Sequence, residues 1–383
     1  MHTDSKMTAD KNKWEQWEAA TGFRGRVQKL AEKHRADRAM SPGDYLVQKR
    51  IELAHDIENK KLIYLDTKHW VNLCRVVQNP QDSPIYSEIL GLLELLRQKS
   101  RICCPVSSSL FMELMKQNDI VTRRSTARIM DYLSGGVCIR YWLEQIQFEF
   151  VAHVHRTFNR ELLDESIIPT WTKAGYWAGE HTIEFPKISI EESDLMEKVY
   201  IDLRWDMTFE DYQSMPDTTL PLDKFADAWA EAANTSRGNQ LTPKPVFSKL
   251  VKRSRNQLLS LLKDHLLPTL VALRGGSAFG FENDLRVVLD PIYEGRDPNA
   301  LPSMEIVAGL DTAIAFELTR IVQANDMLDF LHAAQALPYC DALFCDNFMA
   351  QKMKNRPLEF GKIYETEIGS RPEEIVAYLN ALN

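Results

Sequence analysis

The sequence predicts an α/β fold with a doubly wound parallel sheet, chiefly because two apolar runs each end in an aspartate. Residues 62–65 are apolar and lead into Asp66, and residues 342–345 lead in the same way into Asp346. A short apolar run bounded by polar residues is typical of a strand buried on both faces of a parallel sheet. Helical patterns separate the runs, which favours an alternation of strands and helices.

The elements that follow the first run can be assigned in chain order. A helical pattern follows it directly, and a second helix is predicted over 86–98, where apolar residues recur at helical spacing. Residues 102–106 predict a second buried strand. Ser107 and Ser108 are suitable N-caps for the next helix, which continues to Met115.

The C-terminal part of the chain returns to this alternation. We expect it to complete the sheet with one buried strand and one short edge strand. The predicted elements are helices over 304–322 and 326–336, the strand 342–345, a helix from Phe348, an edge strand near 363–364 and a helix from Arg371.

A long helical stretch divides the two strand-bearing parts. Breaks in the helical pattern fall near 216–217, 243–245 and 275–276. Trp14 and Trp17 give the charged N-terminal segment one apolar side, so we interpret it as a docking arm. The predicted segments are this helical arm (1–59), the first part of the sheet domain (60–135), a mostly α-helical insertion (136–319) and the second part of the sheet domain (320–383).

Composition and charge describe an ordinary globular protein. The chain has 383 residues, 44% of them hydrophobic and 26% charged, and a net charge of −8. A negative charge argues against a protein that coats nucleic acid non-specifically, but it does not exclude local basic patches. The six cysteines show no zinc-ligand spacing, so we expect buried thiols in a reducing compartment.

No segment has the character of a signal peptide or a membrane span. The N-terminal residues lack an apolar core, and the most lipid-like segment, 258–273, contains Lys263, Asp264 and Pro268. We therefore expect no membrane contact and a cytoplasmic location.

The two aspartates that end apolar runs suggest a cation site. In open parallel sheets, ligands bind at the carboxyl ends of the strands. If the two strands are neighbours, Asp66 and Asp346 place two negative charges at one sheet edge. A cation between them would relieve the repulsion.

Four stretches, in this order, resemble motifs of the PIN-domain nuclease family, whose fold the chain would then share. They cover roughly two fifths of the chain, and the insertion has no counterpart in the small toxin members of the family. Cys345 departs from the pattern, because a Ser or Thr usually precedes the last aspartate. The stretches are Ile63–Thr67 in the opening strand, Val106–Glu113 in the second strand and its helix, Asp329–Leu337 in an acidic helix, and Tyr339–Asp346 in the last strand of the site.

The resemblance implies metal-assisted hydrolysis of phosphodiester bonds. Asp66, Glu113, Asp329 and Asp346 are then the ligands of Mg²⁺ or Mn²⁺, which hard carboxylate oxygens suit. Asp341 is a further ligand or a structural partner of a nearby backbone group or cation. The substrate is a nucleic acid, with RNA expected over DNA, and the products carry 5′-phosphate and 3′-hydroxyl ends.

Each site residue also has a simpler interpretation. Asp66 can serve only as the N-cap of the following helix, and Glu113 can be a solvated helix residue. Asp326, one turn before Asp329, is an alternative to it. His332 is expected to be a packed or capping histidine. His69 can face the cleft or the surface.

Basic residues offer two candidate contacts for phosphate groups. One stretch contains Lys249, Lys252, Arg253 and Arg255, and the second candidate is the pair Arg123 and Arg124. The alternative for the first stretch is a solvated helix face.

Two rival functions remain open. A haloacid-dehalogenase-like phosphatase also begins with a strand and an aspartate, but it needs a second acid two residues later, where this chain has Lys68. A non-catalytic PIN-like scaffold or binding module is the other rival. The large insertion is expected to regulate the protein, as a sensor or through a homo-oligomer or regulatory protein partner.

Overall fold

A four-stranded parallel sheet lies at the centre of the fold, in the order β2-β1-β5-β6. The computed structural model describes residues 22–36, 39–158, 170–180, 188–213, 227–231, 234–235, 247–273, 281–317 and 321–383. Trp14, Trp17 and the three predicted breaks in the insertion lie outside these residues. The strands are β1 (Lys61–Leu65), β2 (Ile102–Cys103), β3 (Val137–Ile139), β4 (Trp171–Lys173), β5 (Ala342–Phe344) and β6 (Glu367–Gly369).

Most of the described chain is helical, and the protein belongs to the α/β class. The helices are α1 (Phe23–Ala36), α2 (Pro42–Ile57), α3 (Thr67–Gln78), α4 (Pro84–Gln98), α5 (Ser108–Met115), α6 (Ile120–Ser134), α7 (Trp142–Thr157), α8 (Ile190–Trp205), α9 (Phe209–Tyr212), α10 (Phe247–Leu273), α11 (Phe281–Glu294), α12 (Pro302–Ala315), α13 (Ala324–Ala336), α14 (Asn347–Lys354), α15 (Phe360–Ile363) and α16 (Pro372–Leu382). Within the described residues, none of them combines the length and apolarity that a bilayer span requires.

The two apolar runs are parallel strands, as the sequence predicts, and the structure shows that they are neighbours. Leu65 at the end of β1 pairs with Phe344 at the end of β5, which in turn pairs with Gly369 at the end of β6. Residues 62–65 are all buried, as expected of a central strand covered on both faces. Strands paired in this register end at one edge, so the residues that follow them are brought together.

Two predictions about strands are wrong in detail. Residues 363–364 are not an edge strand: Ile363 ends helix α15, and the edge strand is β6, whose Ile368 is buried. A pair of apolar residues is too short for its periodicity to separate a strand from a helix. The second strand ends at Cys103 rather than at 106, but Val106 forms an isolated bridge to Cys138.

The insertion contains strands as well as helices. β3 and β4 form an antiparallel pair, and hydrogen bonds from Val106 N to Val137 O (3.1 Å) and from Ile139 N to Val106 O (2.7 Å) join β3 to the residues that follow β2. The insertion also shares the main hydrophobic core, to which α12 contributes Ile306 and Leu310. A second apolar cluster joins helices α7, α10, α11 and α12.

The described part of the N-terminal arm forms helices α1 and α2, which pack on α8 of the insertion. The buried carboxylate of Asp202 on α8 fixes this contact. It pairs with Lys33 Nζ (3.0 Å), His34 Nε2 (2.9 Å) and Lys49 Nζ (2.8 Å), and it accepts a hydrogen bond from Tyr45 Oη (2.7 Å). All six cysteines are buried free thiols, as the sequence predicts.

Candidate metal centre

Two aspartates mark the carboxyl edge of the sheet. Asp66 follows β1 and Asp346 follows β5, and the backbone N–H of Asp66 donates to the carbonyl of Phe344 (2.9 Å). Both are N-caps as well: Asp66 Oδ1 accepts from Thr67 N (2.6 Å), and Asp346 Oδ1 accepts from Phe348 N (2.7 Å) and Met349 N (3.1 Å). Each aspartate can therefore cap its helix and also belong to the site, because only Oδ1 of each carboxylate makes the cap contacts.

Glu113 reaches the same edge from helix α5. Ser107 starts this helix by accepting a hydrogen bond from Leu110 N (3.2 Å), which agrees with its predicted role as a cap. The Glu113 carboxylate is half-buried and accepts a hydrogen bond from the hydroxyl of Thr67, the residue after Asp66. Glu113 is therefore a member of the cluster rather than a solvated helix residue.

An imidazole lies between the acids. His332 on α13 is buried, and its Nε2 lies 3.3 Å from Glu113 Oε2. Side-chain oxygens of Asp66 and Glu113 and a ring nitrogen of His332 all lie within 4.8 Å of one another, a spacing that could hold a metal ion. The sequence identified His332 only as a packed or capping histidine, and it missed this contact.

The other ring nitrogen of His332 belongs to a chain of polar side chains. Nδ1 lies 2.5 Å from Tyr64 Oη, and Tyr64 Oη lies 2.6 Å from Ser107 Oγ. Ser107 Oγ lies 2.8 Å from Ser109 Oγ, which donates to Gln335 Oε1 (2.9 Å). These groups are buried, so the hydrogen bonds fix the orientation of the ring.

Asp329 and Asp326, which the sequence could not separate, have different environments. Asp326 is buried and accepts a hydrogen bond from Gln323 N (2.9 Å), which makes it part of the N-terminal cap of α13. Asp329 is half-buried and lies one turn before His332 on α13, so the two side chains lie on one face of the helix. Asp329 therefore lies on the helix face that carries His332, and Asp326 has a structural partner.

The charges of the cluster shift one another's protonation. Burial, together with the charges of Glu113, Asp66 and Asp346, raises the pKa of Asp329 to about 8, although His332 opposes this. Burial also raises the pKa of Asp66. For Glu113, burial favours a higher pKa, but the charge and contact of His332 and the Thr67 hydrogen bond leave it below its usual value.

His332 responds in the opposite sense. Burial alone would lower the pKa of its ring, but Glu113, Asp66 and Asp329 outweigh burial and raise the pKa to about 9. Among the described residues, it is the only basic side chain within 4.0 Å of any of the four acids. Within the described residues, Glu113 is thus the one of the four acids that has a basic partner at this distance.

Other residues near the predicted site have structural partners. Asp341 precedes β5 at the opposite edge of the sheet, where it accepts from Leu62 N (2.8 Å) and Lys61 Nζ (2.6 Å). Of its two predicted roles, the structure therefore supports the structural partner and not the metal ligand. His69 faces neither cleft nor surface, since it is buried with Nδ1 2.9 Å from Tyr86 Oη. Lys68 donates to the carbonyl of Ser370 (3.1 Å).

The predicted phosphate contacts are only partly accessible. Arg255 is buried and paired with Glu305. Arg123 is also buried, and its Nη1 lies 3.3 Å from the carbonyl oxygen of Met115. Neither side chain is therefore exposed for contact with a nucleic acid. Lys252 is exposed but pairs with Glu294 (2.8 Å). The exposed members of the two sets are Lys249, Lys252, Arg253 and Arg124.

The sequence carried a weak signal for the groups that it missed. His332 follows Asp329 by three residues, so a helix places both on one face. Thr67 follows Asp66 directly, and Tyr64 lies two residues before it in the strand. Only the packing of α5 and α13 against β1 shows that these side chains meet.

Comparison with known proteins identifies no relative. No protein-family model, curated protein or solved structure matches this chain. The resemblance to PIN-domain nucleases thus depends on the four motifs, and a functional interpretation depends on the side chains at the sheet edge.

Proposed function

We propose that this protein is a metal-dependent nuclease of PIN-like type, with the doubly wound fold of that family and an insertion that regulates it. The observation that carries the proposal is the convergence of four acids from separate elements. Asp66, Glu113, Asp329 and Asp346 come from the ends of β1 and β5 and from helices α5 and α13. Side-chain oxygens of Asp66 and Glu113 lie within 4.8 Å of each other and of a ring nitrogen of His332. Asp346 follows the strand that pairs with β1, and Asp329 lies one turn before His332.

The donor set suits a divalent cation. Carboxylate oxygens are the preferred ligands of Mg²⁺ and Mn²⁺, and one ring nitrogen of His332 is buried among them without a hydrogen-bond partner. Repulsion between the carboxylates is a cost of holding such a site together without a cation. Both features favour a metal centre over a set of helix caps.

The protein's own groups have defined tasks in this proposal. The four carboxylates would hold Mg²⁺ or Mn²⁺, which lowers the pKa of water and neutralises charge on the phosphate. Backbone N–H groups of Thr67 and Phe348 orient Asp66 and Asp346.

A cleavage assay tests the proposal. Full-length protein is incubated with labelled single- and double-stranded RNA and DNA in Mn²⁺, in Mg²⁺ and in chelator. We expect metal-dependent cleavage that leaves 5′-phosphate and 3′-hydroxyl ends, and RNA as the better substrate. Asp66→Asn and Asp346→Asn should each reduce the rate by more than about 100-fold, because altering groups that merely contact metal ligands already costs about 10–100-fold.

Asp341→Asn is the matched control. Asp341 and Asp346 are the same residue type and flank the same strand, but Asp341 lies at its opposite end, so cleavage should persist in the control. Full cleavage by Asp66→Asn would contradict the proposal. Absence of cleavage by folded wild type would favour the non-catalytic scaffold, and an aspartyl-phosphate at Asp66 would favour the phosphatase.

A further inference from the structure

His332 has a buried ring nitrogen for which the protein supplies no hydrogen bond. The residue is 3% exposed, and Nε2 makes no hydrogen bond to any described residue. Glu113 Oε2 is within ion-pair distance at 3.3 Å, but the direction of the contact is not that of a hydrogen bond. Buried polar atoms nearly always have a partner, so an atom that lacks one needs an explanation. Here the carboxylates of Asp66 and Glu113 beside Nε2 indicate a missing cation.

The hydrogen bonds behind the ring determine which nitrogen is available. Gln335 Nε2 donates to the carbonyl of Arg140 (2.8 Å), which leaves Gln335 Oε1 as an acceptor for the Ser109 hydroxyl (2.9 Å). Each hydroxyl has one proton to donate. Because Ser109 has used its proton, Ser107 must donate to Ser109, and Tyr64 must then donate to Ser107.

The same order of donors determines which nitrogen of the imidazole donates a hydrogen bond. Because Tyr64 Oη donates its proton to Ser107, it can only accept a hydrogen bond from His332 Nδ1, which lies 2.5 Å away. Nδ1 therefore carries a proton. When a metal ion displaces the proton of Nε2, Nδ1 keeps its own proton and Nε2 presents the lone pair. Metal-binding histidines usually have this arrangement, in which the second ring nitrogen donates to an oxygen that fixes the tautomer and the angle of the ring.

We propose that His332 Nε2 is a metal ligand beside Asp66 and Glu113, and that the site therefore prefers a first-row transition dication such as Mn²⁺ over Mg²⁺. Ligand atoms of the three residues lie within 4.8 Å of one another. Mg²⁺ favours oxygen ligands and retains its waters, whereas imidazole suits transition metals. This inference deepens the proposed function and rests on its metal site, but not on the reaction.

Electron spin echo spectroscopy of Mn²⁺ bound to the full-length protein tests the ligand directly. We expect coupling of the Mn²⁺ electron spin to ¹⁴N in wild type and loss of that coupling in His332→Gln. Calorimetry should show Mn²⁺ affinity falling by about 10-fold or more in this variant, with a smaller change for Mg²⁺. His69→Gln is the matched control. Its Nε2 is also buried without a hydrogen bond and its Nδ1 lies 2.9 Å from Tyr86 Oη, but within the described residues it belongs to no group of metal-ligating side chains, so the variant should retain the coupling.

A second variant keeps the test decisive if His332→Gln does not fold. Tyr64→Phe removes the acceptor for Nδ1 and should weaken Mn²⁺ binding while the ¹⁴N coupling persists. Bound Mn²⁺ without ¹⁴N coupling in wild type, or coupling that persists in His332→Gln, would overturn the inference. Nitrogen-coupled Mn²⁺ in a protein that cleaves no nucleic acid would support it while contradicting the proposed function.

Discussion

Two groups of charged side chains in this protein differ in how the negative charge is balanced. On α8, the single carboxylate of Asp202 meets Lys33, Lys49, His34 and the hydroxyl of Tyr45. At the sheet edge, His332 is the one basic side chain among the described residues within 4.0 Å of any of the four acids. In the first group, two lysines balance one carboxylate. In the second group, the acids outnumber the one basic side chain.

The protonation of the two groups reflects this difference. Burial favours a higher pKa for Asp202, but hydrogen bonds from Lys49, Tyr45 and Lys33 outweigh it and hold the pKa well below its usual value. Asp329 has a pKa raised to about 8, because burial and neighbouring acids both disfavour its charged form. The contact of α1 and α2 with α8 is thus built for stability, whereas the sheet edge holds a charge that an external cation would balance.

The largest expected effect separates Asp329 from Asp326. We expect Asp329→Asn to lower metal-dependent cleavage by about 100-fold, because it removes a carboxylate from the cluster. Asp326→Asn should have a clearly smaller effect, since its side chain caps α13 and Asn can cap as well. Rates measured at saturating Mn²⁺ would show the difference, and equal losses would remove the distinction between the two aspartates.

The second effect is on stability and has opposite signs in the two groups. At pH 7, Asp202→Asn should lower the free energy of unfolding by roughly 2 kcal/mol, less than for a fully buried pair because Lys33 is exposed. Asp66→Asn in chelator should be neutral or stabilising, because the pKa of Asp66 is raised and Asn retains the cap. Urea denaturation of both variants measures the two changes in the free energy of unfolding. A clear loss of stability in Asp66→Asn would contradict the expected difference between the two groups.

A pH-dependent effect of at most similar size comes from Glu149 on α7, a buried acid whose hydrogen-bond partners are hydroxyl and backbone groups. Burial raises its pKa to about 7, although hydrogen bonds from Ser303 and Tyr339 oppose this. The native state therefore holds a proton that the unfolded state releases near pH 4.5, and stability should fall as pH rises from about 4.5 to 7.

Glu149→Gln should remove that slope. Relative to wild type, the variant should gain up to roughly 2 kcal/mol at pH 8 and less at pH 5. Chemical denaturation at both pH values measures the gain. An equal effect at the two values would mean that Glu149 does not titrate in this range.

The sequence predicted the two strands and the acids that end them, because a buried strand leaves a continuous apolar run and an acid at its end stands out. That the strands are neighbours came from the structure. It did not predict β3, β4 or β6, since runs of three residues carry too little periodicity. Nor did it predict the contact of His332 with Glu113. That contact joins residues 219 positions apart, counted from 113 to 332, and depends on how two helices pack against one strand.

The central claim is that the sheet edge binds a divalent cation, and four melting curves test it most directly: wild type and Asp66→Asn, each in Mn²⁺ and in chelator. An ion bound only by the native state stabilises it by RT ln(1 + [L]/Kd), about 2.7 kcal/mol at a hundredfold excess over Kd. We predict a higher melting temperature for wild type in Mn²⁺, and loss of most of that rise in Asp66→Asn. Identical wild-type curves with and without Mn²⁺ would contradict the claim.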